Sequence, residues 1–359
     1  MNEFVSGADY NIKENYNLFL LVDMDYFYVA CEIRRNKSLE GKPVAVFHAV
    51  GERGAILTSN YEARKMGIKS GMSLSKARSV PGVIFINADM DYYLKTSNEI
   101  FSFLKGFGEL EQVSVDEGFI LIKGNYEKAY ELAESIKQNI KEKFDLPCSI
   151  GISYNRVMAK LACEFAKPNG IFVIRRSEAQ EFLKDVEVSK LYGVGEKTTK
   201  ILNSLGVYKV KDLFSIDPSL LRSKLGDKAS SYLFLLAKGE DPYKYNKEEI
   251  PKSISTINTL EKDLDKEEIL EIVFSMVYEL SSELQTNNLV SKTVTVRAVY
   301  EDFDNQSVSF SLNFYTNDYK KLFEVAKQLV NKLDNKKIRK IGVGFSNLKK
   351  LTEESLKNY

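Results

Sequence analysis

The stretch Ser114-Val115-Asp116-Glu117-Gly118-Phe119-Ile120 places two adjacent acids inside an otherwise apolar run. Val113, Val115, Phe119 and Leu121 surround them, and apolar residues alternating about Ser114 are the pattern of a half-buried strand. Neighbouring side chains of a strand leave on opposite faces, and a charge buried there without a partner costs several kcal/mol. Asp-Glu-Gly also makes an acceptable hairpin tip. The stretch is therefore either an ordinary turn or a place where the acids have a partner.

Outward from it, the first half of the chain alternates strand and helix signals. Leu18-Phe19-Leu20-Leu21-Val22 is a continuous apolar run, read as a buried strand that ends at Asp23. Further strands are expected at 44–48, 55–58, 148–153 and 171–174, and helices at 60–66, 73–79, 91–105, 126–143 and 155–166. That order suggests a sheet backed by helices. From Glu178 to Lys238 the strand signal gives way to short helices broken by Gly193, Gly195, Gly206 and Pro218, a small all-helical domain. After a polar linker the pattern runs strand, helix, strand, strand, helix, strand over 252–346, a split β-α-β-β-α-β unit.

A length of 359 residues suggests roughly two to four compact units. Hydrophobic content of 44% and charged content of 28% describe an ordinary soluble globular protein. No apolar run approaches the ~20 residues of a membrane span. The polar start, with Glu3, Asp9 and Glu14, is unlike a signal peptide. A cytoplasmic monomer is expected. Cys31, Cys148 and Cys163 fit reduced thiols better than disulfides or a zinc site. The one histidine, His48, sits in an apolar strand, so serine- or cysteine-histidine catalysis lacks support. The 51 basic residues nearly balance the 50 acidic ones, a weak argument against polyanion binding, because a basic stripe can coexist with acids elsewhere.

Asp23 bears on the question posed by Asp116 and Glu117. Alone it is an ordinary N-cap; with them it makes three carboxylates at element ends of one sheet. Oxygen-only ligands suit Mg²⁺, a hard octahedral ion. Two such ions ~3.5–4 Å apart can activate a hydroxyl and stabilise a leaving oxygen in phosphoryl transfer. The acids are then paired by metal. A phosphate site should lie nearby. T-S-N-Y-E-A-R-K offers Thr58, Tyr61 and Arg64 across one helical turn, with Tyr61 and Arg64 on one face. Arg grips phosphate through parallel hydrogen bonds and Tyr adds a hydroxyl. Lys167 stands just before Pro168, where a helix must stop. Each motif has a bland alternative, a solvated helix face for Arg64 and a helix-terminal cation for Lys167.

Together and in this order, L-V-D-M-D-Y-F-Y-V-A-C-E, T-S-N-Y-E-A-R-K-M-G-I-K-S-G-M, S-V-D-E-G-F, S-I-G-I-S-Y-N-R-V-M-A-K-L-A and A-K-P-N-G-I closely resemble the Y-family (translesion) DNA polymerases. The similarity is nearest to the archaeal DNA polymerase IV branch of the DinB class and runs from about Phe19 to Leu348. It implies an α+β multidomain right hand. A ferredoxin-like palm would occupy 18–27 and 89–177, small fingers 28–88, and a helical thumb 178–241. A linker over 242–252 and a β-α-β-β-α-β little finger over 253–349 would follow, with tails at 1–17 and 350–359.

The resemblance implies that Asp23, Asp116 and Glu117 are the catalytic ligands of two Mg²⁺ ions, the Met24 carbonyl completing one site. Thr58, Tyr61, Arg64 and Lys167 would clamp the triphosphate, Tyr28 would be the steric gate against a ribose 2′-OH, and Ser114 would lie along the primer end. L-Y-G-V-G-E-K-T-T-K-I-L-N-S-L-G-V resembles a helix-hairpin-helix, whose Gly193 and Gly195 amides approach a DNA phosphate without base contacts. K-K-I-R-K-I-G-V-G-F-S-N-L-K-K has six basic residues and no acid, so Lys337, Arg339 and Lys340 are expected to follow DNA backbone. The implied activity is template-directed addition of deoxynucleotides from their triphosphates to a primer 3′ end. Fidelity would be low, damaged template bases would be bypassed, and no proofreading exonuclease is implied.

This chain departs from the family pattern at four places. Gly118 replaces the usual Ala after the Asp-Glu pair, which loosens a hairpin. Tyr192 replaces Pro at the start of the helix-hairpin-helix, and Gly344 stands where Arg is common. The ending L-T-E-E-S-L-K-N-Y lacks the paired aromatics that hold a sliding clamp, so that partner has no clear motif. Two rivals remain: a cyclase with the same palm, which would need a Gly-Gly-Asp/Glu-Glu-Phe turn, and a non-catalytic DNA-binding relative, which would have no use for three intact acids.

Overall fold

A computed structural model describes residues 16–242 and 250–351. In chain order its elements begin β1 (Tyr16–Met24), α1 (Phe27–Arg35), β2 (Val44–Val50), β3 (Arg53–Ser59), α2 (Tyr61–Lys65), α3 (Leu74–Arg78), β4 (Ile84–Asn87) and α4 (Met90–Leu104). They continue with β5 (Glu109–Gln112), β6 (Glu117–Gly124), α5 (Tyr126–Phe144), β7 (Cys148–Ser153), α6 (Arg156–Ala166) and β8 (Ile171–Ile174). Four helices follow, α7 (Ala179–Lys184), α8 (Glu196–Ser204), α9 (Pro218–Leu225) and α10 (Asp227–Ala237). Last come β9 (Ser253–Leu264), α11 (Leu270–Thr286), β10 (Leu289–Tyr300), β11 (Asn305–Thr316), α12 (Tyr319–Asn331), β12 (Ile338–Ser346) and β13 (Lys349–Lys350). The described chain forms two compact units, one of 16–47, 56–72 and 76–242, the other of 48–55, 73–75 and 250–351.

The first unit is organised by β1. It lies central in a five-stranded sheet of order β5-β6-β1-β7-β8, antiparallel to both neighbours. Its unbroken apolar run follows from burial on both faces. Leu18, Leu20 and Val22 point into a core shared with Tyr93, Ile100 and Leu104 of α4 and Ile136 and Ile140 of α5. Phe19 and Leu21 point the other way, against Phe119 of β6 and Ala159 and Cys163 of α6. Burying each large side chain contributes ~1.5–3 kcal/mol. By the same alternation Asp23 belongs to the α6 face, and the β1–β6 register sets Glu117 opposite it. The pattern of side chains therefore selects which helix meets the acids.

α6 sits on β7 with almost no side chain between them. A Cβ on Gly151 would lie 2.1 Å from the Ala159 carbonyl oxygen and 2.2 Å from the Cys163 nitrogen. This close approach explains the small residues on the buried face of α6, Ala159, Ala162, Cys163 and Ala166. Asn155 caps the helix, accepting the Met158 N–H at 2.8 Å.

A smaller sheet has the order β3-β2-β4, with β2 and β4 parallel. The buried Asn60 ties its strands to α2. Its Oδ1 accepts from Val44 N (3.0 Å) and Ala63 N (3.1 Å), and its amide donates to the Lys42 carbonyl (2.7 Å). Helices α7 to α10 enclose Leu183, Leu202, Leu213, Leu221, Leu233 and Leu236, the all-helical domain expected from sequence.

In the second unit β9, β10, β11 and β12 form an antiparallel sheet of order β11-β10-β12-β9, its core built with Val273, Met276 and Val277 of α11 and Leu322, Ala326 and Leu329 of α12. This is the β-α-β-β-α-β order read from sequence. Several details differ. β4 and β13 are not expected from sequence, each being too short for a periodicity signal. α11 starts at Leu270 rather than Lys266, because the Glu268 carboxylate accepts from the Asp265 amide and holds 265–268 in a turn. The cysteines are free and buried. Among the described residues no helix is long and apolar enough to cross a membrane. Most of the 1–17 and 350–359 tails, and the 242–252 linker over 243–249, lie outside the described residues.

The packing of α6 on β7 yields a direct test. Gly151→Ala forces a methyl into helix backbone rather than into a yielding side chain, so the loss of stability should reach or exceed the ~3 kcal/mol upper end for overpacked cores. Urea denaturation measures it; a midpoint within error of the parent would contradict the packing.

Candidate active site

Three acids meet where β1 ends. Asp23 and Glu117 are register partners, and the Met24 N–H donates to the Asp116 carbonyl at 2.9 Å. The hairpin between β5 and β6 is closed by Ser114, whose Oγ accepts from the amides of Asp116 (3.2 Å) and Glu117 (3.0 Å) and donates to Asp116 Oδ1 (2.5 Å). The turn is therefore made by 113–116 rather than by Asp-Glu-Gly: Asp116 is its last residue, and Glu117 and Gly118 already belong to β6. Burial pushes the Asp23 carboxyl up to about 6 although the Lys167 ammonium pulls it down; the Asp116 and Glu117 charges add to the rise.

Two lysines of the α6 segment answer the acids. Lys167 Nζ is 2.9 Å from Asp23 Oδ2, and Lys160 Nζ is 2.9 and 2.8 Å from the two Glu117 oxygens. Burial alone would lower the Lys167 pKa, but the Asp23 carboxylate outweighs it and the net shift is upward. Sequence reasoning misses Lys160 and Asp25. Lys160 lies two turns before Lys167, the C-cap of α6, and that spacing is the available signal. Asp25, buried, accepts from Ser149 Oγ (2.9 Å) and from the Asn169 amide (2.7 Å), anchoring the loop that follows Lys167.

The donor set, three carboxylates and main-chain carbonyls, is all oxygen and suits a hard divalent ion. Among the described residues no three such groups are gathered tightly enough to hold an ion as they stand. Lys167, Lys160 and Ser114 hydrogen-bond oxygens of Asp23, Glu117 and Asp116 in this arrangement.

The phosphate-gripping residues are partly as expected. Tyr61 and Arg64 are on α2, but Thr58 is on β3, so the three do not share a helical turn. Arg64 lies 5.1 Å over the Tyr61 ring and its Nε donates to the Ser59 carbonyl at 2.8 Å. Burial pushes the Tyr61 hydroxyl up to about 12, the Asp25 charge adding and the Arg64 and Lys167 cations opposing, so all four groups share one region.

Tyr26 adopts a left-handed backbone (φ 38°), uncommon for a bulky residue, and turns the chain from β1 directly into α1. Tyr28 thereby returns toward Asp116, whose charge adds to the burial that raises its hydroxyl pKa. Its ring stacks on Tyr93 at 4.7 Å, and the Tyr93 hydroxyl donates to buried Glu32 at 2.8 Å. Gly118 pairs with both Val22 and Gln112, and a Cβ there would meet Phe101 at 2.6 Å. Glycine therefore admits the Phe101 ring rather than loosening the hairpin.

The remaining candidates lie on other elements. Gly193 has φ +78°, and Gly195 is the N-cap residue of α8. In the second unit Lys337 pairs with Asp265 at 2.8 Å, Arg339 lies 4.8 Å over the Phe303 ring, and Lys340 is on β12.

Three family descriptions match the chain: impB/mucB/samB family over 22–164, IMS family HHH motif over 176–207, and impB/mucB/samB family C-terminal domain over 251–357. DNA polymerase IV of Clostridium perfringens (strain 13) is 35% identical over 353 residues, covering 96% of this chain and 98% of the relative. DNA polymerase IV of Methanosarcina acetivorans is 34% identical over 358 residues, with 94% and 98% covered. A solved Y-family DNA polymerase chimera superposes with a TM-score of 0.81 at 30% identity, over 93% of this chain and 99% of its own. DinB from Sulfolobus solfataricus gives 0.67 at 31% identity, over 92% and 98%. By sequence and by fold, with the palm, fingers, thumb and little finger of that right hand, the chain belongs to the impB/mucB/samB family, the Y-family DNA polymerases.

Proposed function

We propose that the protein extends a primer 3′ end on a DNA template by two-metal-ion phosphoryl transfer. Synthesis is of low fidelity, passes damaged template bases and proceeds without proofreading. The observation that carries this reading is one constellation: Asp23, Asp116 and Glu117 at the end of β1, with Lys167, Tyr61, Arg64 and the braced ring of Tyr28 within electrostatic reach of the same region. A related solved structure is an insertion ternary complex of the Dbh DNA polymerase, which supports primer–template DNA and a nucleotide as the ligands here.

Each residue has a role in this scheme. Asp23, Asp116, Glu117 and the Met24 carbonyl hold two Mg²⁺ ions. When bound, the ions lower the pKa of the primer hydroxyl and neutralise charge on the phosphates. Lys167, Arg64, Tyr61 and Thr58 grip the triphosphate and align it, which is most of what phosphoryl transfer asks of a protein. Ser114 keeps Asp116 aimed along the primer terminus. Tyr28, backed by Tyr93, floors the sugar pocket and leaves no room for a 2′-OH. Half-buried Leu57 and Thr58 are modest in size, which suits a loosely checked base pair.

In this reading the polymerase parts are palm 18–27 and 89–177, fingers 28–88, thumb 178–241 and little finger 253–349. The Gly193 and Gly195 amides and Lys337, Arg339 and Lys340 hold the DNA backbone. The protein acts as a cytoplasmic monomer, and a sliding clamp stays outside the proposal.

Three outcomes test the scheme. Asp116→Ala and Glu117→Ala should each nearly abolish nucleotide addition while primer–template affinity stays close to the parent's; substantial extension by Asp116→Ala would remove the metal assignment. Tyr28→Ala should raise ribonucleotide use sharply and lower deoxynucleotide addition only modestly. An unchanged ratio of the two incorporation efficiencies would show that Tyr28 is an ordinary core aromatic. Finally, alanine at Lys337, Arg339 and Lys340 should flatten the log–log salt dependence of DNA binding by ~0.9 for each phosphate no longer neutralised. An unchanged slope would mean that other residues neutralise the DNA backbone.

A further inference from the structure

Lys160 has no part in the scheme above, yet it is the group that meets Glu117. Its Nζ engages both carboxylate oxygens, at 2.9 and 2.8 Å, in a pair whose side chains are only 26% and 16% exposed. The ammonium also lies over the ring of Tyr192, 5.3 Å from its centroid. Tyr192 is the residue that departs from the family pattern at the start of the helix-hairpin-helix. Its carbonyl accepts from the Tyr232 hydroxyl at 3.2 Å, so its backbone is held in place. An ammonium in contact with both a carboxylate and an aromatic face is stabilised by each.

We propose that Lys160 is a positioning residue for Glu117, an internal cation that holds this carboxylate until a divalent ion takes its place, with Tyr192 keeping the ammonium at its post. The inference rests on the two-metal reading and extends it to metal affinity. An ammonium on both Glu117 oxygens opposes a divalent ion that seeks one of them, since the two cations repel and compete for the same carboxylate. Entry of the ion must weaken the hold of Lys160 on Glu117. The lysine therefore keeps Glu117 ordered in the free protein and makes metal binding weaker than the three acids alone would give.

The test uses Mn²⁺, counted by electron paramagnetic resonance as free ion. It is titrated into the full chain bound to a dideoxy-terminated primer–template and a matched nucleotide, so that no turnover occurs. Lys160→Met keeps the length of the side chain and removes its charge. It should bind Mn²⁺ about tenfold more tightly or better, the scale of one unit charge a few Å away in a partly screened site. Tyr192→Leu should tighten binding by about threefold, the scale of one cation–π interaction, and Tyr192→Phe should match the parent. Equal or weaker Mn²⁺ binding in Lys160→Met overturns the inference. If that variant does not fold, as judged by circular dichroism, parent-like affinity in Tyr192→Leu overturns it instead. A parent protein that extends no primer would defeat the polymerase reading; an active parent with unaltered Lys160→Met affinity would defeat this inference alone.

Discussion

Repulsion among three carboxylates at the buried end of β1 is the constraint around which the first unit is arranged. Two like unit charges about 4 Å apart at an effective dielectric constant near 20 repel by roughly 4 kcal/mol, and burial adds to the cost. In Asp23 burial is the larger part: it drives the carboxyl up to about 6 with a lysine at hydrogen-bond distance, and the Asp116 and Glu117 charges add to the rise. The chain offsets this by bringing α6 against the sheet, so that Lys160 and Lys167 reach Glu117 and Asp23. For that to happen the helix must lie close. Gly151 on one side and Ala159, Ala162, Cys163 and Ala166 on the other provide the closeness. Small residues in a core usually signal loose packing; here they set the distance over which charges are answered.

Much of this is legible in the sequence because the signals are strong and local. An apolar run ending in Asp23, a hairpin at Asp116 and Glu117, and helices with clear three- and four-residue periodicity each point to one structure. The alternation of Phe19, Leu21 and Asp23 is enough to assign them to one face of the sheet. The misses have physical causes as well. Strands of two to four residues, such as β4 and β13, are too short to show alternation. Thr58 falls in the strand expected at 55–58, and grouping it with Tyr61 and Arg64 across one helical turn overlooks Asn60, which caps α2 and separates that helix from β3.

The site is legible in its acids and less so in its cations. Acids among apolar residues are conspicuous, whereas a lysine on a helix resembles any solvated lysine until the opposing surface is known. Lys160 and Lys167 are set apart by what lies across from them, and that depends on the β1–β6 register and the depth of α6 together. Asp25 is hidden for a related reason. It stands two residues from Asp23 and looks like a second ligand, yet its oxygens are committed to Ser149 and the Asn169 amide.

The seven-residue separation of Lys160 from Lys167 makes this segment a ruler. At about 1.5 Å of rise per residue the backbone of Lys160 and the helix end that carries Lys167 are about two turns, ~10 Å, apart along the axis. The rod between them is rigid and seated on β7 backbone to backbone. Neither cation can be adjusted alone: a shift or tilt of the helix would change the hold on Asp23 and on Glu117 in the same stroke. The two ends of the carboxylate cluster are thus mechanically yoked, and substitutions on the buried face of α6, far from any charge, act on both at once.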